Sequence, residues 1–310
     1  MTAARPWPLD RLAVLGAAVA FGTTGTAKAL GPDDATALGV GAMRILIGAA
    51  GLVLVAVVVS RRHRTTGRAA TPLVPRRRQL PAVLIGALGV AIYQPAFFAG
   101  TDHNGVAVGT LVALGSGPVF VGAWELVVLH RRPSNRWAAA TALAVLGGAV
   151  LVLSQRTGDA PVGAFGVVCS LLAGLGYALF ATAAKSLVDG GADSGTVMAW
   201  IFTLGALGLA PFLFVEPLGW LATWSGLLMV LHLGIVSTTV AYLLYGYGLR
   251  TLATSTAVTL TLAEPVTAAV AAMVVLDERL DAAGWLGAVI VLAGLALIAR
   301  ADPEAPLVPA

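Results

Sequence analysis

Long apolar runs separated by short polar breaks are the main pattern along this chain. Ten of these runs are long enough to cross a hydrocarbon layer, which takes about 20 apolar residues in a helix. They cover residues 11–30, 35–60, 80–100, 105–129 and 137–153, then 163–187, 196–215, 225–246, 252–276 and 283–299. The narrowest breaks are 101–104, between the third and fourth runs, and 249–251, between the eighth and ninth. Helix is the expected form, because a lone segment in lipid must satisfy its own backbone N–H and C=O groups.

Composition sharpens the pattern. Of 310 residues, 58% are hydrophobic and only 11% are charged, with a mean hydropathy of +0.89. Soluble domains carry about 25% charged residues. An ordinary water-soluble enzyme is therefore excluded, and so is a disordered chain, which needs high charge and low hydrophobicity. The expected class is an all-α integral membrane protein. The first run, from residue 12, is span-length with no convincing cleavage site, so it reads as a span and not a removed signal. The single cysteine, Cys169, sits inside an apolar run and leaves no intramolecular disulfide. Arginine outnumbers lysine 17 to 2 amid abundant Ala, Gly and Val. That balance matches a GC-rich bacterial genome and so a bacterial cell (inner) membrane.

The charges orient the runs. With the N-terminus in the cytoplasm and sides alternating, 15 of the 19 basic residues fall on the cytoplasmic side. Seven lie in the 61–79 loop: Arg61, Arg62, Arg64, Arg68, Arg76, Arg77 and Arg78. Arg5 and Arg300 fall on that side too, while Lys28, Arg156 and Arg279 fall outside. The outer breaks carry acids such as Asp102, Asp159, Glu216 and Asp281. The excess of Lys and Arg on one side predicts ten spans with both termini cytoplasmic. The arginine-rich loop is expected to anchor this topology; binding of anionic lipid or another partner is the alternative. The pair Asp33-Asp34 reads as a cap on the second span. The net charge of +4 does not point to nucleic acid, because the arginines sit in loops and in no nucleic-acid motif.

A repeat divides the chain. A shift of 147 residues lays Pro118-Val119 on Pro265-Val266, Val127-Val128 on Val274-Val275, Arg132 on Arg279, Gly147 on Gly294 and Ala149 on Ala296. A looser shift of 157 pairs Lys28 with Lys185 and Leu30 with Leu187. Each half then holds five spans, 1–155 and 156–310. Because five is odd, the second half is expected upside down relative to the first. Inverted repeats of this kind are common in secondary transporters, whose substrate sites lie near the midplane.

These residues resemble a known family. The stretch LAEPVTAAVAAMVVLDERLDAAGWLGAVIVLAG, residues 262–294, is similar to the EamA-type branch of the drug/metabolite transporter superfamily. Glu264-Pro265, Glu278-Arg279, Gly287 and Gly294 carry the resemblance, with Phe21-Gly22, Arg44, Pro118 and the region 234–257 in support. One departure is Arg131, which stands where the first-half hinge usually has an acid matching Glu278. The resemblance implies two EamA-like five-helix repeats and an export or exchange carrier for small metabolites, amino acids or drug-like solutes. It also implies a structural ion pair for Arg44.

Three ionisable residues lie well inside the runs: Arg44, Glu125 and Glu264. Such residues are costly in hydrocarbon and usually face a cavity or one another. Glu264 lies about 18 Å along its span, near the midplane. Pro265 cannot donate to the carbonyl of Thr261, so a free acceptor is expected one turn away. Glu264 can bind a proton or an amine there; packing against a neighbouring span is the alternative. Glu125 shares the helical face of Pro118 and can line a cavity, or snorkel or pair. Arg44 can bind a substrate carboxylate or phosphate, or pair with Glu264 or Glu125. Tyr93, Gln94, Tyr177, Trp200 and Tyr242 can form an amphipathic pocket, or serve as packing and interfacial anchors. Pro95, Pro118, Pro211 and Pro265 are expected to break their helices and release the carbonyls of Ala91, Leu114, Leu207 and Thr261.

The scattered histidines lack metal-ligand spacing and no nucleotide-binding loop is present, so no metal, no cofactor and no enzymatic activity are expected. The expected partners are a small-molecule substrate and membrane lipids, with monomer and homodimer both open. A secondary transporter working by alternating access around a midplane cavity is the expected function, with proton coupling as one power source. A lipid or lipid-linked sugar flippase of the same fold is the alternative. An integral-membrane transferase lacks the polar cluster it would need at one membrane face.

Overall fold

A computed structural model describes residues 9–66, 71–154, 162–277 and 279–299. Arg5, Arg68, Arg156, Asp159, Glu278 and Arg300 lie outside the described residues. Among the described residues all regular structure is helical. Nine helices among the described residues are long and apolar enough to cross a membrane. We label them α1 (Leu9–Ala29), α2 (Ala37–Thr65), α3 (Arg77–Gly105), α4 (Val108–Val127), α5 (Asn135–Ser154), α6 (Ala164–Asp189), α7 (Ser194–Phe214), α8 (Trp224–Gly248) and α9 (Thr254–Val275). A last helix, α10 (Ala282–Ala299), is equally apolar. At 18 residues it sits at the short end of what a hydrocarbon layer requires.

The 249–251 break separates α8 from α9, whereas residues 101–104, expected as the other break, are still helical. The division between α3 and α4 falls at Gly105, which has φ 78°. An L-residue rarely adopts that conformation, and glycine does so at little cost. Asn104 reinforces the corner. Its amide donates to the Gly163 carbonyl at 3.0 Å and accepts from the Gly163 N–H at 2.8 Å. The start of α6 is thereby tied to the end of α3. At the head of α2 the cap is Thr36, not the expected Asp33-Asp34: the Thr36 hydroxyl accepts from the Gly39 N–H and donates to Glu216.

Small residues set the helix spacing, as they do where lipid supplies no hydrophobic drive for helices to associate. Between α5 and α10, a Cβ on Gly147 would meet Val291 N at 2.5 Å and Gly287 O at 2.8 Å. Reciprocally, one on Gly294 would meet Ala140 O at 2.8 Å and Ala144 N at 2.9 Å. Gly89 and Gly176 bring α3 and α6 together, each against the other's carbonyl. Gly22 brings α1 against the Glu264 carbonyl of α9. The core between these contacts is aromatic and aliphatic, with Phe180, Phe202, Tyr245 and Leu52 fully enclosed. Large apolar side chains such as Leu54, Leu84 and Val289 remain exposed on the outer faces, as a lipid-facing surface requires.

Candidate functional site

Glu264 is placed by its own neighbours in sequence. Pro265 removes the N–H that an α-helix would send to the Thr261 carbonyl. The chain tightens into a 3-10 turn, Thr261–Ala263, and the Glu264 N–H donates to Thr261 O instead. The expected free carbonyl is therefore not free, because the tighter turn satisfies it. The α-helix resumes as Glu264–Val275 with Glu264 in its first turn, where the helix dipole favours negative charge. A 3-10 segment inside a longer helix often marks a hinge. The Leu207 carbonyl ahead of Pro211 is likewise taken, by the Ala210 N–H, and α7 ends in a 3-10 turn, Ala210–Phe214. Pro95 and Pro118, expected to break their helices, do not: both lie within continuous helix in α3 and α4, and the non-helical backbone in this stretch is at Gly105, where glycine accepts a positive φ.

Glu264 faces a cavity of about 90 Å³ that also receives Arg44 from α2, Tyr93 and Gln94 from α3, Tyr177 from α6 and Tyr242 from α8. Residues from distant parts of both halves thus meet in one space. The ring of Tyr93 stacks on Phe97 one turn away, with centroids 5.5 Å apart. Tyr242 leans on Phe21 at 5.0 Å, and Tyr93 approaches Tyr177 at 6.4 Å. The Thr261 hydroxyl donates to the Val258 carbonyl at 2.7 Å, so in its 3.2 Å contact with Tyr177 the tyrosine is the donor. Lys28 Nζ lies 5.9 Å from the ring centre of Phe98, another wall of the cavity.

Arg44 and Glu264 do not close into a salt bridge among the described residues. Arg44 Nε is buried and has no hydrogen-bond partner there. The two side chains line the same space from opposite halves of the chain.

Two expected site residues lie elsewhere. Glu125 is buried and accepts from the Ser255 N–H at 3.0 Å, in the first turn of α9, where backbone donors lack intrahelical partners. The indole N–H of Trp200 donates to the Leu73 carbonyl at 2.8 Å, pinning the loop ahead of α3. Neither residue lines the cavity. The cavity also takes Thr24, Phe97 and Phe98, which sequence reasoning did not single out, and Leu114 and Thr261, which it named only for their backbone carbonyls. Phe97 was accessible from its i+4 spacing to Tyr93, and Thr261 from its i−3 spacing to Glu264.

The π-helical segment Ile235–Val240 inside α8 was also not foreseen. Its hydroxyls bond back five residues: Thr238 to the Leu233 carbonyl at 2.9 Å and Thr239 to the Gly234 carbonyl at 3.1 Å. Thr23 of α1 contacts both His232 Nε2 at 2.9 Å and Ser237 Oγ at 3.2 Å beside it. The run Ser237-Thr238-Thr239 was the available signal, since mid-span hydroxyls compete for backbone carbonyls.

A bundle of span-length helices around a charged, aromatic cavity defines a multi-pass membrane protein with an internal cavity. The sequence matches the EamA-like transporter family twice, over residues 11–153 and 164–300, and the chain belongs to that family. It is similar to the uncharacterized transporter YwfM of Bacillus subtilis (strain 168), with 37% identity over 94% of this chain and 93% of the relative. It is also similar to the uncharacterized inner membrane transporter YicL of Salmonella typhimurium, with 23% identity over 72% of this chain and 74% of that one. A solved crystal structure shares the fold at a TM-score of 0.76 and 18% identity, over 93% of this chain and 95% of the other. The protein is a membrane transporter and not an enzyme.

Proposed function

We propose that the protein is a secondary carrier of a bacterial cell membrane that exchanges a small zwitterion, of amino-acid type, for a proton. Export or exchange then follows by alternating access around the Arg44–Glu264 cavity. The observation that carries this reading is that two opposite charges face one cavity without closing on each other. A guanidinium binds a carboxylate through paired hydrogen bonds. A carboxylate across the cavity takes the ammonium, and aromatic faces attract the same cation. Charged lining of this kind favours a small polar solute over a lipid, and so a carrier over a flippase.

Glu264 holds the solute's ammonium or a proton, one at a time. Mutually exclusive occupancy is what links the two fluxes in opposite directions. Tyr93, Gln94, Tyr177 and Tyr242 form the walls that hold the solute between the charges. The 3-10 turn ahead of Pro265 is the hinge that carries Glu264 as the cavity opens to either side.

The frame of this reading is ten membrane helices in two inverted five-helix repeats, 1–155 and 156–310, with both termini cytoplasmic. Reciprocal packing supports it. Gly147 rests on Gly287 and Val291 while Gly294 rests on Ala140 and Ala144, and the 147-residue shift exchanges the two sets. Contacts of i with j and of j's counterpart with i's are what a two-fold relation produces. The arginine distribution supports the orientation.

Proteoliposomes loaded with a pH-sensitive dye test the coupling. Added zwitterionic amino acids are expected to move protons through the wild type, and Glu264→Gln is expected to abolish that signal while the protein inserts normally. Flux that is the same with and without a pH gradient, in wild type and variant alike, would rule the coupling out.

A further inference from the structure

A second cavity, of about 370 Å³, lies apart from the Arg44–Glu264 site. It is a groove between α2, the start of α3 and α7, lined by Val53, Val57, Leu80, Ala199 and Leu204 and roofed by the strap Leu73-Val74-Pro75. The strap is held in place. The Trp200 indole donates to Leu73 O at 2.8 Å, and the Asp193 N–H donates to Thr71 Oγ1 at 2.8 Å. Yet Leu73 is 41% exposed and Val74 is 75% exposed. Two apolar residues are thus pinned outward between two groups of arginines.

Those arginines follow or precede the lining residues closely in sequence. Arg61 and Arg64 lie four and seven residues beyond Val57, so they continue the helical face that lines it. Arg76 follows Pro75 directly, and Arg77 opens α3 just ahead of Leu80. All four are exposed. The neighbouring acids are already engaged: Asp193 caps α7 through the Thr196 N–H at 2.9 Å, and Asp189 pairs with Lys185 at 2.6 Å. An apolar slot of this volume at the end of membrane helices, under an uncompensated cationic rim, has the chemistry of a lipid with an anionic head.

We propose that this groove binds one anionic phospholipid, with an acyl chain in the Val53–Val57–Leu204 slot under the strap and the phosphate among Arg61, Arg64, Arg76 and Arg77. The site is independent of the solute cavity, so it stands or falls separately from the transport reading.

Native mass spectrometry of the full chain in detergent tests it, using phosphatidylglycerol and phosphatidylcholine of identical acyl chains at equal concentration. One phosphatidylglycerol is expected to be retained in preference to phosphatidylcholine by about fivefold or more. The double variant Arg61→Gln/Arg76→Gln is expected to lose about fivefold or more of that preference. Val53→Phe, on an exposed face, is expected to reduce retention of both lipids. Soluble glycerol phosphate is expected not to displace the lipid, which separates a lipid site from a plain phosphate site. Equal retention of the two lipids by the wild type, an unchanged preference in the double variant, full retention in Val53→Phe, or displacement by glycerol phosphate would each overturn the proposal.

Discussion

Arg44 and Glu264 enter one cavity from opposite halves of the chain and stay unpaired across it. Opposite charges in a low-dielectric space attract strongly, and with no ion pair closed between them both remain available to a third group. Arg44 is held by α2. Glu264 is held where Pro265 forces the helix to tighten.

Arg44→Gln removes the fork that would hold a carboxylate. Charge-assisted hydrogen bonds contribute roughly 1.5–3 kcal/mol, so KM for the transported solute is expected to rise roughly ten- to a hundredfold. Arg44→Lys keeps the charge without the planar fork and is expected to fall between the two. Initial-rate transport across a range of solute concentrations separates the three proteins.

Glu125 sits at the first turn of α9, outside the cavity. Glu125→Ala leaves the Ser255 N–H without that acceptor and is expected to destabilise the protein by about 1–3 kcal/mol. KM of the protein that remains folded is expected to match the wild type. Thermal melting in detergent, alongside transport normalised to folded protein, checks both.

Gly147 and Gly148 are neighbours with opposite surroundings. A Cβ on Gly147 would press on the α10 backbone, whereas nothing lies within 4 Å of one on Gly148. Gly147→Ala is expected to cost about 1–3 kcal/mol through overpacking. Gly148→Ala is expected to stay within about 1 kcal/mol of the wild type, or to gain from better helix propensity. Paired melting curves decide it.

Asn104 bonds the Gly163 backbone through both ends of its amide. Asn104→Leu is expected to lower stability by about 1–3 kcal/mol, since two hydrogen bonds of roughly 0.5–1.5 kcal/mol each are lost. The same melting measurement reads this out.

The spans were legible because lipid demands uninterrupted apolar length, and the 249–251 break was visible as a point where that length fails; the polar run 101–104 marked the other division only approximately, since it stays helical and the chain turns at Gly105. Six of the eight expected binding residues share the cavity, because polar and aromatic side chains deep in a span have few other places to go. Glu125 was harder to assign. Its spacing from Pro118 put it on a plausible face, but the helix N-terminus that receives it comes from a segment 130 residues away. The satisfied Thr261 carbonyl and the π-helical turn in α8 are choices of hydrogen-bond register. Hydropathy does not encode them, although Pro265 and the Ser237-Thr238-Thr239 run marked where they occur.

The most direct test is a thermal-shift titration of the purified protein with each amino acid in three forms: the free zwitterion, its N-acetyl derivative and its methyl ester. A ligand that binds only the folded state raises Tm as its concentration exceeds Kd. If Arg44 and Glu264 hold the two ends of the solute, at least one zwitterion raises Tm while both of its blocked forms fail to do so, and Arg44→Gln and Glu264→Gln each remove the shift. Stabilisation by the blocked forms equal to that by the zwitterion, or a shift that survives in both variants, would contradict a zwitterion site between these two residues.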